Sequence, residues 1–159
     1  MKNTLAAAVI TAVLLIALPG AAARADDASD MQDRVDAALR AQPGGTQTDW
    51  NEVTWNQGDV ILTLAPPTAS ATGLAVVGGC TSGRFCAYSG SSYTGSKLTY
   101  STCASAQSVA ALGAPVRSIA NARSSGVILA YGGSTLLASA SAGAGSNVSG
   151  TTTNISCLA

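Results

Sequence analysis

The chain has no histidine, and after Asp59 it has no acidic residue. The first absence removes the commonest general base and a principal zinc ligand. The second leaves the C-terminal body without a carboxylate pair for glycoside hydrolysis, and without a base to activate a serine. A Ser/Lys pair using Lys97 is the one formal exception, and Lys97 stands alone beside a polar hairpin. The chain is therefore read as non-catalytic, with no cofactor. Charge is sparse as well, at 10 % of residues. After Asp59 the only cations are Arg84, Lys97, Arg117 and Arg123, too few and too scattered for the basic patch or stripe that a nucleic-acid partner requires. Aromatics are limited to one phenylalanine, two tryptophans and four tyrosines.

The longest apolar run, Leu5 to Leu18, lies behind Lys2 and ahead of Pro19-Gly20 and Ala23-Arg24-Ala25. This is the layout of a secretory signal with a small-x-small cleavage site. The run falls short of the roughly twenty residues needed to span a bilayer. Residues 1–25 are read as a signal peptide, and the product as a secreted, extracellular monomer with no membrane attachment after cleavage.

Charge then divides what remains. All eight acids lie from Asp26 to Asp59 against Arg34 and Arg40, a net of −6, whereas the part after Asp59 carries +4. Residues 26–65 form an acidic segment. In it Ser29 and Gln32 read as a capping box that opens a helix from Ser29 to Ala41, and Pro43-Gly44-Gly45 stops the pattern. Glu52 to Trp55 and Val60 to Leu64 flank the turn-rich Asn56-Gln57-Gly58-Asp59, which predicts a β-hairpin. Residues 66–79, with Pro66-Pro67 and an Ala/Thr/Ser/Gly stretch, read as a linker. The acidic segment is expected either to dock as an extra hairpin or to serve as a removable pro-segment, the plainer alternative being a flexible acidic tail.

The body, residues 80–159, has short β-like runs at 84–89, 96–101, 116–120, 127–131, 135–140 and 152–158, which together predict an all-β sandwich. Residues 107–112 suit one helical turn in a connection. Cys80, Cys86, Cys103 and Cys157 are an even number in an exported chain, which favours two disulfides. Three pairings are open, and the reading leans towards Cys80 with Cys86 and Cys103 with Cys157. Zinc would want histidine or a paired Cys-x-x-Cys, and neither is present.

Tyr88-Ser89-Gly90-Ser91-Ser92-Tyr93-Thr94-Gly95 describes a tight hairpin. Its two tyrosines can pack across the fold, and Gly95 can take φ > 0. Tyr131 follows Tyr88 by 43 residues, and Ile119 precedes Leu158 by 39, as two repeats of about forty residues would require. The second copy is degraded, with Leu136 and Ala138 where Tyr93 and Gly95 stand in the first. The spacing Cys80-x5-Cys86-x-Tyr88-x4-Tyr93-x-Gly95, with Cys103 following, resembles the small exported βγ-crystallin-like proteins of actinobacteria grouped with a Streptomyces metalloproteinase inhibitor. Ser118-Ile119-Ala120-Asn121 adds the Ser-hydrophobic-x-Asn stretch that many such proteins show.

The resemblance implies a Greek-key βγ-crystallin-like sandwich, here preceded by a short helix and a β-hairpin, with Tyr88, Tyr93, Gly95, Ser118 and Tyr131 as its fold signature. It also implies a peptidase inhibitor whose partner is an extracellular protease. Thr81, Ser82, Gly83, Arg84 and Phe85, bounded by Cys80 and Cys86, would be the protease-contacting loop, with Arg84 or Phe85 offered to a specificity pocket. The plainer alternative is that Cys80 and Cys86 staple the first strand, and Gly83 would soften the loop. Many of these domains bind calcium, but Gly113, Ala114 and Arg117 stand where its oxygen ligands would be, so no metal site is expected. Two other functions fit the same residues: an antimicrobial or killer-toxin-like protein, and a passive extracellular structural protein.

Overall fold

The computed structural model describes residues 20–66 and 77–159. The apolar run Leu5–Leu18 and most of the linker at 66–79 lie outside the described residues. In chain order the elements are α1 (Gly20–Ala41), β1 (Thr46–Asp49), β2 (Glu52–Trp55), β3 (Val60–Thr63), β4 (Phe85–Tyr88), β5 (Lys97–Tyr100), β6 (Gln107–Ser108), β7 (Ser118–Asn121), β8 (Val127–Gly132), β9 (Thr135–Ser141), β10 (Ala144–Asn147) and β11 (Asn154–Leu158). Among the described residues no helix is long and apolar enough to cross a membrane.

Period-two alternation sets the inner face of the strands. Val53 and Trp55 of β2, Val60 and Leu62 of β3, Leu98 and Tyr100 of β5, Phe85 and Ala87 of β4, and Ile119 of β7 enter one core. All the pairings are antiparallel, in two sheets ordered β1-β2-β3-β5-β4-β7-β10 and β6-β11-β8-β9. Each half of the body, β4–β7 and β8–β11, sends its third strand into the other half's sheet. Ile128, Ala130, Ala140, Ile155 and Cys157 of the smaller sheet close the core.

The predicted N-terminal hairpin does not stand apart. β3 pairs with β5 over four residues, so β1–β3 extend the body's own sheet. Met31, Val35 and Ala38 of α1 join the same core at helical spacing. Trp55 Nε1 donates to Gln42 O at 2.8 Å and holds the end of the helix to β2.

Two expectations are corrected, and two strands are added. The helix begins by Gly20, not at Ser29, which lies inside it; the preceding residues Ala21, Ala22, Ala23, Ala25 and Ala28 are the strongest helix formers. β1 and β10 are additions to the predicted strands: Thr46-Gln47-Thr48-Asp49 has no apolar alternation to mark it, Ala144-Gly145-Ser146-Asn147 lacks β propensity, and both pair at the two edges of the large sheet. The stretch 107–112 is a two-residue strand followed by a 3-10 turn at Ala110–Leu112, not one helical turn.

Candidate functional site

The tyrosine hairpin between β4 and β5 folds over the outer face of the large sheet. Tyr88 and Tyr93 meet edge to face with centroids 5.8 Å apart. Ser118, buried on β7, accepts the Tyr93 N–H at 2.9 Å and donates to Gly90 O at 2.7 Å. Gly95 has φ +78, and a Cβ there would run into Ser89 Oγ. A Cβ on Gly145 of β10 would run into the Tyr93 ring, so this edge strand must pass beneath the ring with no side chain. Tyr131 behaves differently. It is half-buried on β8, which pairs with β9 in a hairpin whose register shifts between Ala130 and Tyr131, and Leu136 opposite it is exposed.

The hairpin covers a small second core of Cys80, Cys86, Tyr88, Ala120 and Ala122, with Val77 and Tyr93 packed against it. The Cys80–Cys86 disulfide is therefore a buried anchor, and β4 is buried on both faces. Burial pushes the Tyr88 hydroxyl above its ordinary range, and Tyr93 adds to the effect; among the described residues the buried hydroxyl of Tyr88 has no hydrogen-bond partner. Burial raises the Tyr100 hydroxyl too, and it donates to Ser108 O at 2.7 Å. Lys97 is lowered by burial, with Glu52 acting in the opposite direction, and its ammonium donates to Gly79 O at 3.1 Å.

Between the two cysteines, Thr81, Ser82 and Gly83 are exposed and Arg84 is half-buried. Phe85 is withdrawn from the candidate loop: it is 0 % exposed and stacks on Tyr100 at 4.8 Å, so its ring is core. Gly83 is tied by its backbone to the neighbouring segment. It has φ +78, and its N–H donates to Ala122 O at 2.8 Å, while Arg84 N–H donates to Thr81 O at 3.1 Å. Arg84 Nη1 reaches Gly58 O at 3.3 Å. Arg123 Nη1 donates to Ser101 O at 3.1 Å beside it. The second disulfide, Cys103–Cys157, ties the segment after β5 to β11 of the other sheet.

Residues 76–136 match the model of peptidase inhibitor family I36. The matched segment covers well under half of the chain but contains the whole disulfide loop and the tyrosine hairpin, and it supports a peptidase inhibitor. No curated protein and no solved structure matches the chain.

Elsewhere the surface offers less. A cavity of about 250 Å³ between α1 and the Ala110–Leu112 turn is lined by Arg34, Leu64, Ser96 and Leu112 among others; Arg34 donates there to Ala65 O and Ser96 Oγ at 2.7 and 3.1 Å, which latches the helix to the sheet. Gly113, Ala114 and Arg117 are exposed in the connection to β7. Among the described residues no group of three or more His, Cys, Asp or Glu could hold a metal ion. Asn121, quoted in the sequence only as part of a fold motif, is a buried bridge between the halves: its Nδ2 donates to Gly126 O and to Ala140 O at 3.1 and 3.3 Å.

Proposed function

We propose that the chain is a secreted, monomeric, non-catalytic inhibitor of an extracellular peptidase, which it contacts through Thr81, Ser82, Gly83 and Arg84. The observation that carries this reading is the exposure of Thr81, Ser82 and Gly83, beside a half-buried Arg84, on a loop fixed at both ends by a buried disulfide, within the segment that matches an inhibitor family. A loop already held in one conformation loses little entropy on binding. The scaffold is read as a pair of βγ-crystallin-type Greek keys, supported by the exchange of third strands between the two halves. The antimicrobial alternative draws less support, because Arg84, Lys97 and Arg123 each donate to a backbone carbonyl instead of forming a free basic face.

Purified, oxidised protein assayed against thermolysin-like, subtilisin-like and trypsin-like peptidases tests the reading. Inhibition of at least one at micromolar concentration or below is expected, together with its loss in an Arg84→Ala, Ser82→Ala double variant. No inhibition of any class at that concentration overturns it.

A further inference from the structure

Thr81 to Arg84 is too small a surface to hold a peptidase alone. A stable protease–inhibitor interface takes roughly 800 Å² and roughly 20–30 residues from each partner, so whatever rests on this loop also rests on its neighbours. Strand register identifies them. Trp55 lies opposite Val60, Val60 opposite Tyr100, and Tyr100 opposite Phe85. These pairs put the Asn56–Asp59 turn of the N-terminal hairpin at the same end of the large sheet as the disulfide loop, and the Arg84 guanidinium joins the two through Gly58 O.

We infer that the Asn56–Asp59 turn is a second peptidase-binding loop, which forms one composite surface with Thr81–Arg84. This rests on the inhibitor reading and extends it to residues outside the matched segment. The turn is stiff: Asp59 N–H donates to Asn56 O at 3.2 Å, Ser101 N–H donates to Asp59 O at 2.9 Å, and the Ser101 hydroxyl donates to the Asp59 carboxylate. Its backbone is also strained. Gln57 and Gly58, the central residues of the turn that Asp59 N–H closes on Asn56 O, have φ +57 and +95, as a mirror-image turn demands there, and Asn56 ahead of them has φ +51. Gly and Asn suit a positive φ and Gln does not, so the strain of the turn falls on Gln57. Gln57 is exposed, so its side chain adds no core packing, and glycine would serve the turn better. A strained, exposed amide beside the disulfide loop fits a contact to the peptidase, where it can hydrogen-bond the backbone groups at the rim of the cleft.

The test measures thermal midpoint and inhibition together, in the full protein, against a peptidase that the unmodified protein inhibits. Gln57→Gly is expected to raise the midpoint and to weaken inhibition by about tenfold, the loss typical of a contributing interface residue. Gln57→Asn, which the turn also tolerates, is expected to lie between the two. A residue with only a structural role would move both readouts the same way. Arg117→Ala, at the opposite end of the sheet, is expected to leave inhibition unchanged. If Gln57→Gly raises the midpoint and inhibits as well as the unmodified protein, the composite surface is wrong and the inhibitor reading stands; if the unmodified protein inhibits nothing, both fall.

Discussion

Two tyrosines illustrate how much a single hydroxyl decides in this chain. Tyr100 donates its buried hydroxyl to Ser108 O, whereas the buried hydroxyl of Tyr88 has no partner among the described residues. Replacing Tyr100 by Phe removes a made hydrogen bond and is expected to cost about 1 kcal/mol, while Tyr88→Phe relieves a desolvated, unpaired group and is expected to be neutral or to stabilise by about 1 kcal/mol. Urea unfolding of the two variants checks the opposite signs. The same groups set the alkaline limit of the fold. Both hydroxyls are raised above the ordinary value of 10.0 in the folded state, so the stability they lend is complete below about pH 10 and is lost as pH climbs beyond it. Lys97 acts the other way: its folded value is below 10.5, so the cost of burying its charge fades as pH approaches that value. With two tyrosines against one lysine, stability is expected to fall above about pH 10, and less steeply in either Phe variant. Equal slopes in all three proteins would contradict this assignment. Gly95→Ala belongs to the same scale: φ +78 and the contact with Ser89 Oγ predict a loss of about 1–3 kcal/mol.

At the level of elements, the acidic segment is part of the fold it precedes. Leu62 of β3 is wholly buried between β2 and β5, so Leu62→Ala is expected to cost about 2–5 kcal/mol, as core truncations do, and to destabilise the whole protein, not the hairpin alone. Residue-resolved hydrogen exchange would show this as a joint loss of protection in β3, β5 and β4; loss confined to β1–β3 would restore the picture of a detachable segment. The β2–β3 hairpin and the six β-like runs of the body were legible because their alternation and turn residues are local. The pairing of β3 with β5 was not legible, since no local pattern states which edge a hairpin meets. β10 was hidden for a related reason: Gly145 is needed beneath the Tyr93 ring, and a strand composed to admit a ring does not look like a strand. Phe85 was not separable from the candidate loop in the sequence, because Arg84-Phe85 is the junction of loop and strand, and only the stack on Tyr100 shows that Phe85 faces inward.

Across the whole molecule the two disulfides do different work, and the difference separates folding from function. Cys103–Cys157 spans 54 residues of sequence and links the two sheets, whereas Cys80–Cys86 spans 6 and shapes one surface loop. On loop-closure entropy, the long bridge stabilises the native state by about 4 kcal/mol and the short one by about 2 kcal/mol. Paired Cys→Ala replacement at 103 and 157 is therefore expected to lower the denaturation midpoint more, while the fraction that remains folded still inhibits. Replacement at 80 and 86 is expected to lower the midpoint less and to weaken inhibition more, because it frees the ends of Thr81–Arg84 and restores the ordering cost on binding. Denaturation and peptidase assays on the two double variants should thus rank them in opposite orders. The same ranking in both assays would mean that the short bridge only staples β4, and that the contact with the peptidase lies elsewhere on the sandwich.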